Sequence, residues 1–544
     1  MSDPKPARFD VIVVGAGFAG LYLLHRLRGM GLSAHVYERA EGVGGTWWWN
    51  RYPGARCDVE SLQYSYSWDP ELERDWTWSE KYAAQPEIQA YAEFVAERHD
   101  LKRDISFSTS VEGAEWDEAA GLWRVATSAG PAEAAHLALA TGCLSSTSMP
   151  DIPGREDFKG ETYHTGMWPH EGVDFTGKRV AVIGTGSSAI QAIPIIAGQA
   201  RELAVHQRTP NFSIPARNAP LTEAEREDWR ARSAERREWA RANTRNAIVA
   251  TLPEKPVLEA TPEEREAEFA KRWESGGITF SAAYSDLALD PEANAYAAEF
   301  VRERIREIVT DPETAEALCP TDYPIFTKRI CVDTDYFETF NLPHVRLVNL
   351  RETPLERVTE AGVRTSAGEA PYDAIVYATG FDAMTGAILN IDPVGRGGRR
   401  MSEAWAEGPK AYLGLLAAGF PNLFLVTGPG SPSVLTNMIV SIEHHVEMIC
   451  EQLSRLEARG ARLIEAEPEA QEAWVAHVNA RAAATLFPQA ASWYMGANIP
   501  GKPRVFMPYL GQDEYRRKVA ELAAKDWPGL RLSTGRAGSD AAAG

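Results

Sequence analysis

A glycine-rich motif near the N-terminus constrains the fold more than any other feature of this sequence. The apolar run Val11–Val14 is followed by Gly15-x-Gly17-x-x-Gly20 and then by a segment typical of an apolar helix. Gly15 permits a tight turn, Gly17 lets a pyrophosphate approach the backbone, and Gly20 allows the helix to pack closely on the strand. The next strand ends at Glu38, where a carboxylate can bind ribose hydroxyls. This predicts a Rossmann-like unit that binds a dinucleotide, the alternative being a tight turn without a ligand.

The same pattern returns 169 residues later as Gly184-x-Gly186-x-x-Ala189, again after an apolar run. Alanine is a permitted variant of the third position. At the end of the following strand, Arg208 and Thr209 take the place of the acid of the first unit. An acid there would repel a 2′-phosphate, whereas an arginine beside a hydroxyl would bind it. This predicts a site for NADPH, the alternative being that Arg208 is a solvated surface residue.

Two such units predict an α/β fold with two Rossmann-like dinucleotide-binding domains and two bound dinucleotides. The first unit, with its acid, suits FAD, so hydride would pass from NADPH to the flavin. Further residues of the second turn and helix are expected to contact the nucleotide: Thr185, Ser187, Ser188 and Gln191.

Strand-like runs that end in Thr-Gly, HLALATG and DAIVYATG, indicate where the chain passes between the units. Between Pro220 and Tyr323 the sequence is charged and has helical spacing, with helix starts at Thr261-Pro262, Asp290-Pro291 and Asp311-Pro312. We interpret its charges as solvated faces, not as a partner site. The predicted parts are the FAD domain (1–150 and 386–532), the NADP domain (151–219 and 324–385), a helical insertion (220–323) and a disordered tail (533–544).

The composition of the chain limits which binding partners and which cellular compartment we expect. The net charge of −20 argues against nucleic acid or an anionic membrane as a partner. Five scattered cysteines without a C-x-x-C pair argue against a disulfide framework or a metal site. The apolar N-terminal run is broken by glycines, unlike a secretory signal, and no run is long enough to span a membrane. We expect a cytoplasmic monomer without a metal.

A further motif lies just ahead of the second glycine-rich turn: Phe158, Gly160, His164, Trp168 and Pro169. This F-x-G-x-x-x-H-x-x-x-W-P pattern, between two dinucleotide motifs, resembles the fingerprint of type I Baeyer–Villiger monooxygenases. The resemblance continues nearly from end to end, through GGTWWWNRYPGARCD, QRTPNFSIPARN, KRICVDTDYFETFN, GPGSPSVLTNM and SWYMGANIPGKPRVF. The segments GARCD and GPGSPSVL are most similar to the phenylacetone and steroid monooxygenase branch, more so than to cyclohexanone monooxygenases.

The resemblance implies an FAD-dependent enzyme that consumes NADPH and O2 and converts ketones to esters or lactones through a C4a-peroxyflavin. It implies that the fingerprint couples domain rotation to turnover. We therefore interpret His164 as a structural residue of a hinge and not as an acid or base.

The resemblance also implies roles for single residues. Arg329 would stabilise negative charge during oxygen transfer, and Asp58 would pair with it. Lys328 would bind the 2′-phosphate with Arg208 and Thr209, and Trp493 would hold NADP+ over the flavin. Positions that match family residues near FAD are Thr46, Trp47, Trp49, Tyr64 and Met438. The loop expected to line an apolar ketone pocket carries Ser433, Val434 and Leu435, with Met438 beside it.

Three other functions share some of these features. A flavin monooxygenase that oxidises nitrogen or sulfur has both dinucleotide motifs, but its fingerprint usually lacks the Trp-Pro ending, and sulfoxidation is also plausible as a side activity. A disulfide reductase with two dinucleotides would need a C-x-x-C pair. A flavin-bound redox sensor would leave Arg329 without a task.

Overall fold

The computed structural model describes residues 6–253 and 255–534. In this part of the chain the strands are β1 Ala7–Val14, β2 Ala34–Tyr37, β3 Ile105–Ser106, β4 Val111–Asp117, β5 Leu122–Thr127, β6 Gly130–Leu139, β7 Glu161–His164, β8 Arg179–Ile183, β9 Glu202–Gln207, β10 Ser213–Pro215, β11 Cys331–Asp333, β12 Val345–Asn349, β13 Leu355–Val358, β14 Gly362–Thr365, β15 Gly368–Pro371, β16 Ala374–Tyr377, β17 Leu423–Leu425, β18 Leu463–Ala466 and β19 Leu530–Ser533.

The helices alternate with these strands and cover the sheets. They are α1 Phe18–Gly29, α2 Thr46–Trp49, α3 Pro70–Asp75, α4 Gln85–Arg98, α5 Ser187–Ala197, α6 Glu223–Asn243, α7 Pro262–Ser275, α8 Pro291–Ile308, α9 Pro312–Leu318, α10 Tyr336–Thr339, α11 Gly386–Ile391, α12 Met401–Ala404, α13 Met438–Ala458, α14 Pro468–Ala483 and α15 Gln512–Ala524. Short 3-10 helices at Ser433–Leu435 and Trp493–Met495 carry predicted site residues, and another at Thr165–Met167 lies between His164 and Trp168.

The first sheet is built around β1. Its strands lie in the order β3–β2–β1–β6–β5–β4, and β17 pairs with β6. The pairs of β1 with β2 and β6, and of β17 with β6, are parallel, while β4 and β5 form an antiparallel extension. Val11, Ile12 and Val13 have no exposed surface, as expected for a parallel strand covered on both faces. Because β17 comes from beyond residue 386, a late segment of the chain completes the sheet of the first unit.

The second sheet is parallel throughout, in the order β12–β9–β8–β16–β7. Its central strand β8 leads into the second glycine-rich turn and α5, as β1 leads into the first turn and α1. Both units are therefore Rossmann-like, and the α/β prediction with two dinucleotide-binding domains is confirmed. The exact domain boundaries stay a prediction.

Helices α6 to α9 form the predicted helical insertion in the second unit. Thr261 caps α7 through a capping box with Glu264, and Asp290 and Asp311 cap α8 and α9, each helix having proline at its start. These helix starts agree with the sequence prediction, because the signals are local: a side chain accepts a backbone N–H within three residues.

The interpretation of the insertion's charges as solvated faces is wrong for one face of α6. Arg237 is buried and donates to the carbonyl and hydroxyl oxygens of Ser65, at 3.0 and 2.8 Å. One turn later, Arg241 donates to the buried carboxylate of Glu443 on α13, at 2.7 Å. Burial of these guanidinium groups is tolerated because each has hydrogen-bond acceptors. Helix α6 therefore packs against the first unit, although it is inserted in the second.

The C-terminal strand β19 includes the first residue of the predicted disordered tail. Leu530–Ser533 pairs antiparallel with Leu463–Ala466, and Ser533 lies opposite Leu463. Ser533 is therefore part of a strand and not of a disordered tail, because the ladder satisfies its backbone groups. Residues 535–544 of the predicted tail lie outside the described residues. Within residues 6–253 and 255–534, we find no helix with the length and apolar character needed to cross a bilayer.

Candidate active site

The first glycine-rich turn has the geometry that a pyrophosphate site needs. Gly15 has a φ of +104°, and a Cβ added to it would lie 2.7 Å from the carbonyl oxygen of Ala140. Glu38, at the end of β2, is buried, and its carboxylate accepts from the backbone N–H groups of Ala16 and Ala40, at 2.7 and 2.8 Å. Gly17 is the N-cap of α1, and no side chain of the described residues caps this helix start. The helix N-terminus thus keeps N–H donors for an anion.

The residues predicted near FAD gather around this turn. Helix α2 begins with Thr46, and the preceding Gly45 lies so close to Gly17 that a Cβ on it would be 2.9 Å from the Gly17 Cα. Trp47 donates its indole N–H to the hydroxyl of Tyr64, at 3.2 Å, in an almost fully buried pair. Trp49 packs under the guanidinium of Arg39, 4.7 Å from its ring centre. The start of α2 therefore lies beside the first turn, and the contact of these residues with FAD stays a prediction.

The second turn is more open than the first. Gly184 has a φ of +113°, and a Cβ on it would lie 2.4 Å from the carbonyl oxygen of Ala378. A Cβ on Gly186 would meet no atom of the described residues within 4 Å, beyond its chain neighbours. Helix α5 begins at Ser187, without a side-chain cap from the described part of the chain and without an acid in its first turn. The space and the helix N-terminus fit a bound phosphate.

Positive side chains gather beside this second turn. Arg208 is exposed directly after β9. Lys328 lies 4.2 Å above the ring of Tyr323, and burial, followed by the charge of Arg208, lowers the pKa of its amine. The hydroxyl of Thr185 donates to the carbonyl oxygen of Thr209, at 2.9 Å. The structure thus brings the three residues predicted to contact a 2′-phosphate to one place, where two cations repel each other and favour an anion.

The side chain of Gln191 contacts the first unit, and its contact with the nucleotide stays a prediction. Its amide oxygen accepts from the hydroxyl of Tyr52 at 2.8 Å, and its amide nitrogen donates to the carbonyl oxygen of Arg56 at 3.1 Å. The Cβ of an alanine at Gly54 would lie 2.3 Å from the Gln191 carbonyl oxygen. Gln191 therefore holds the loop of the first unit against α5. Its side-chain groups are used in this contact between the units.

Arg329 and Asp58 form the central ion pair of the site. The guanidinium donates to both carboxylate oxygens, from Nε at 2.8 Å and from Nη2 at 2.7 Å, and to the carbonyl oxygen of Val434 from Nη1 at 2.9 Å. Burial would lower the pKa of Arg329, but Asp58 is the main opposing cause and the pKa lies above its ordinary value. Because three of the five N–H groups of a guanidinium are engaged, Arg329 is held in one orientation.

Tyr494 is a residue of this site that the sequence interpretation missed. It is buried next to Arg329, and burial raises the pKa of its hydroxyl to about 12, against the lowering effect of the Arg329 charge. The ring of Trp493, which was predicted, lies 4.3 Å from that of Tyr494 and is partly exposed. The neighbouring Trp493 in SWYMGANIP is the sequence signal that leads to Tyr494.

The predicted substrate loop divides into buried and accessible residues. Ser433 has no exposed surface, and its hydroxyl lies 3.1 Å from the sulfur of Cys143. Val434 is almost fully buried, whereas Leu435 and Met438 are partly exposed. The expectation that Ser433 lines a pocket is therefore wrong for this structure. Its hydroxyl is turned to the core because a buried polar group needs a partner.

The fingerprint residues lie where the chain crosses between the units. The segments around Ser148 and Gly380 run antiparallel here, with the Ser148 N–H donating to the Gly380 carbonyl oxygen at 2.9 Å. His164 is buried beside them, accepts from the Gly166 N–H through Nδ1 at 3.0 Å, and lies 3.4 Å from the Thr379 hydroxyl through Nε2. Burial lowers the pKa of His164, which keeps it neutral near pH 7.

The other fingerprint residues pack around this crossing. Trp168 is buried, 5.5 Å from the ring of Tyr163. Gly160 lies so close to the ring of Phe158 that a Cβ would be 2.5 Å from it. Pro169 accepts from the N–H of Gly172 at 3.2 Å. These residues make packing contacts on the second unit.

Comparisons with known proteins agree with this geometry. Residues 8–215 match the family model "flavin-binding monooxygenase-like". The chain is 42% identical to a phenazine N-monooxygenase from Lysobacter antibioticus and 41% identical to a Baeyer–Villiger monooxygenase from Pseudooceanicola batsensis, over 98% and 96% of each chain. A solved structure of an oxidized steroid monooxygenase bound to NADP is 50% identical, with a TM-score of 0.93, over 97% of this chain and all of that one.

The chain belongs to the Baeyer–Villiger monooxygenases. The similarity to the steroid monooxygenase also confirms the branch that GARCD and GPGSPSVL indicated.

For a Baeyer–Villiger monooxygenase the described site has suitable parts: two glycine-rich turns that lead into helix N-termini, a group of cations beside the second turn, and a guanidinium held by Asp58 and Val434. The uncapped helix N-termini and the space beside Gly186 fit FAD and NADPH. The phenazine N-monooxygenase and the Baeyer–Villiger monooxygenase from Pseudooceanicola batsensis are about equally similar to this chain, at 42% and 41% identity.

Proposed function

We propose that this protein is an FAD-dependent monooxygenase that consumes NADPH and O2 and converts a hydrophobic ketone to an ester or lactone. The buried ion pair of Arg329 with Asp58, which is also bound to the carbonyl oxygen of Val434 on the predicted substrate loop, carries the proposal. When bound, FAD that NADPH has reduced activates O2 and supplies the oxygen that is inserted next to the carbonyl carbon.

The chain's own residues would orient and stabilise the reaction. Arg329 would place a fixed positive charge where negative charge develops on the substrate carbonyl oxygen, a preorganised arrangement that needs no rearrangement during the reaction. Asp58 would keep the guanidinium in that orientation. Leu435 and Met438 would offer apolar surface to the ketone and exclude water from it.

The units would be coupled at the crossing segments. We propose that His164 and the rest of the fingerprint position these segments during domain movement, since His164 contacts both the turn at Gly166 and Thr379. Its burial beside the crossing segments fits this positioning role. We also propose a cytoplasmic monomer without a metal. The acidic composition supports the further expectation that nucleic acid and anionic membranes are not partners.

A ketone panel tests the function. Purified protein with FAD should consume NADPH in the presence of one or more hydrophobic ketones and form ester or lactone in equal amount. Oxygen uptake and product chromatography should be scored together, because NADPH consumption without ester indicates only oxidase activity. No ester from any ketone, with full FAD content, would contradict the proposal.

N-oxidation is the second candidate, since the phenazine N-monooxygenase is as similar as the Baeyer–Villiger relative. Including a phenazine and a tertiary amine in the panel separates the two functions. N-oxide as the main product, without ester, would favour the second candidate.

Arg208→Ala should raise the KM for NADPH by about tenfold and leave that for NADH nearly unchanged. A charge-assisted contact with a phosphate contributes about 1.5–3 kcal/mol, and the lower end applies because Arg208 is exposed. The measurement is the rate of flavin reduction against the concentration of each nucleotide. Arg201→Ala, an exposed arginine just before the same strand, is the matched control. Equal losses for both nucleotides would show that Arg208 does not contact the 2′-phosphate.

A further inference from the structure

The loop that carries Arg208 and Thr209 is fixed by side chains from three other parts of the chain. Each carbonyl oxygen of the segment 208–210 accepts a side-chain hydrogen bond. The donors are Arg351 Nε to Arg208 at 2.8 Å, the Thr185 hydroxyl to Thr209 at 2.9 Å and the Tyr323 hydroxyl to Pro210 at 3.1 Å. A loop with all its carbonyl oxygens bound has little freedom to change the direction of its side chains.

Arg351 is the exposed member of these three donors. It follows β12, which lies beside β9 with Asn349 opposite Gln207, so both strands end at the same edge of the sheet. Its Nη1 donates to Asp322 at 3.1 Å, and its Nη2 binds the other carboxylate oxygen of Asp322. The two-pronged contact sets the plane of the guanidinium and leaves Nε directed at the Arg208 carbonyl.

We propose that Arg351, oriented by Asp322, is a positioning residue for nucleotide specificity, which holds the backbone of Arg208 so that Arg208 and Thr209 face the 2′-phosphate. This role rests on the proposed NADPH site. Arg351 acts through Arg208, and Asp322 acts through Arg351. The hydrogen bonds therefore link the Asp322 carboxylate to the Arg351 guanidinium and the guanidinium to the Arg208 carbonyl oxygen. These residues lie on three separate segments of the chain.

A purely electrostatic role of Asp322 predicts the opposite change in phosphate binding for the variant Asp322→Asn. If charge alone mattered, loss of the Asp322 carboxylate would strengthen phosphate binding, since a negative charge near the site would be gone. If Asp322 positions Arg351, its loss weakens phosphate binding even though the site becomes more positive. The variants Arg351→Met and Asp322→Asn change the charge in opposite directions, yet positioning predicts the same effect for both.

The experiment measures binding of 2′,5′-ADP and of 5′-AMP to the FAD-loaded protein by titration calorimetry. The two ligands differ only in the 2′-phosphate, and the readout does not depend on turnover. Arg351→Met should weaken binding of 2′,5′-ADP by about three- to fivefold and Asp322→Asn by about twofold or more, as for the loss of one positioned hydrogen bond. Binding of 5′-AMP should stay within about twofold. Arg357→Met, in a comparable exposed ion pair with Asp157, is the matched control.

Three results would overturn the proposal. Tighter binding of 2′,5′-ADP by Asp322→Asn would show that only charge matters. Equal weakening of both ligands would indicate general damage to the loop, which thermal melting would report independently. No change for either variant would show that Thr185 and Tyr323 hold the loop without Arg351. If the wild-type protein binds 2′,5′-ADP no better than 5′-AMP, the proposed NADPH site itself is wrong. Ester formation from a ketone tests the proposed oxygenation separately.

Discussion

Arg329→Ala should abolish ester formation while FAD binding and reduction by NADPH persist. The guanidinium is bound to Asp58 through two N–H groups and to Val434 through a third, so it is a fixed charge and not a mobile one. Removing one such preorganised group typically lowers the rate by about a hundred- to a thousandfold. Lys328 and Arg208 still provide positive charge for NADPH. The variant should therefore oxidise NADPH slowly and release hydrogen peroxide in place of ester.

Stopped-flow reduction, measured beside product chromatography, gives both parts of this result. Arg364→Ala removes an exposed arginine paired with Glu369 and serves as the matched control. Because Asp58 loses its partner in the variant, thermal melting and FAD content must be compared with those of the double variant Arg329→Ala/Asp58→Asn. Ester formation near the wild-type yield would show that Arg329 is not needed for oxygen insertion.

Gly20→Ala should leave the protein without bound FAD and much less stable. A Cβ at this position would lie 1.8 Å from the carbonyl oxygen of Gly15, which is backbone and belongs to a turn with a φ of +104°. The turn must move to relieve this contact, at a cost of about 3 kcal/mol or more in the free energy of unfolding. A displaced turn no longer directs its N–H groups at the pyrophosphate. Flavin absorbance of the purified protein and thermal melting are the measurements.

Gly29→Ala is the control in the same helix. Gly29 is the last residue of α1, and a Cβ on it would meet no atom of the described residues within 4 Å apart from its chain neighbours and the backbone of its own helix. Alanine in place of a helical glycine should stabilise the protein by about 0.5–1 kcal/mol and leave the FAD content unchanged. Full FAD content in Gly20→Ala would contradict the steric argument. The second unit makes this test informative, since Ala189 shows that its turn accommodates a methyl group at the third position.

The sequence by itself determined the features that depend on neighbouring residues. Both strand–turn–helix units follow from their glycines, because a φ near +104° or +113° excludes most side chains. The starts of α7, α8 and α9 follow from caps that act within three residues. Resemblance to a family added Arg329 and Asp58, which no local pattern connects.

The tertiary structure alone decided which distant segments meet. Arg329 and Asp58 are 271 residues apart, and their contact depends on the docking of the second unit and its insertion on the first. The same docking buries Arg237 of α6, which the helical pattern could only place on a charged face. It also sets Tyr494 of the first unit beside Arg329 of the second. Within the first unit, the return of the chain after residue 386 brings the hydroxyl of Ser433 to the sulfur of Cys143. A local sequence pattern does not predict such contacts, because the partner of a side chain is set by the packing of distant segments and not by its neighbours in the chain.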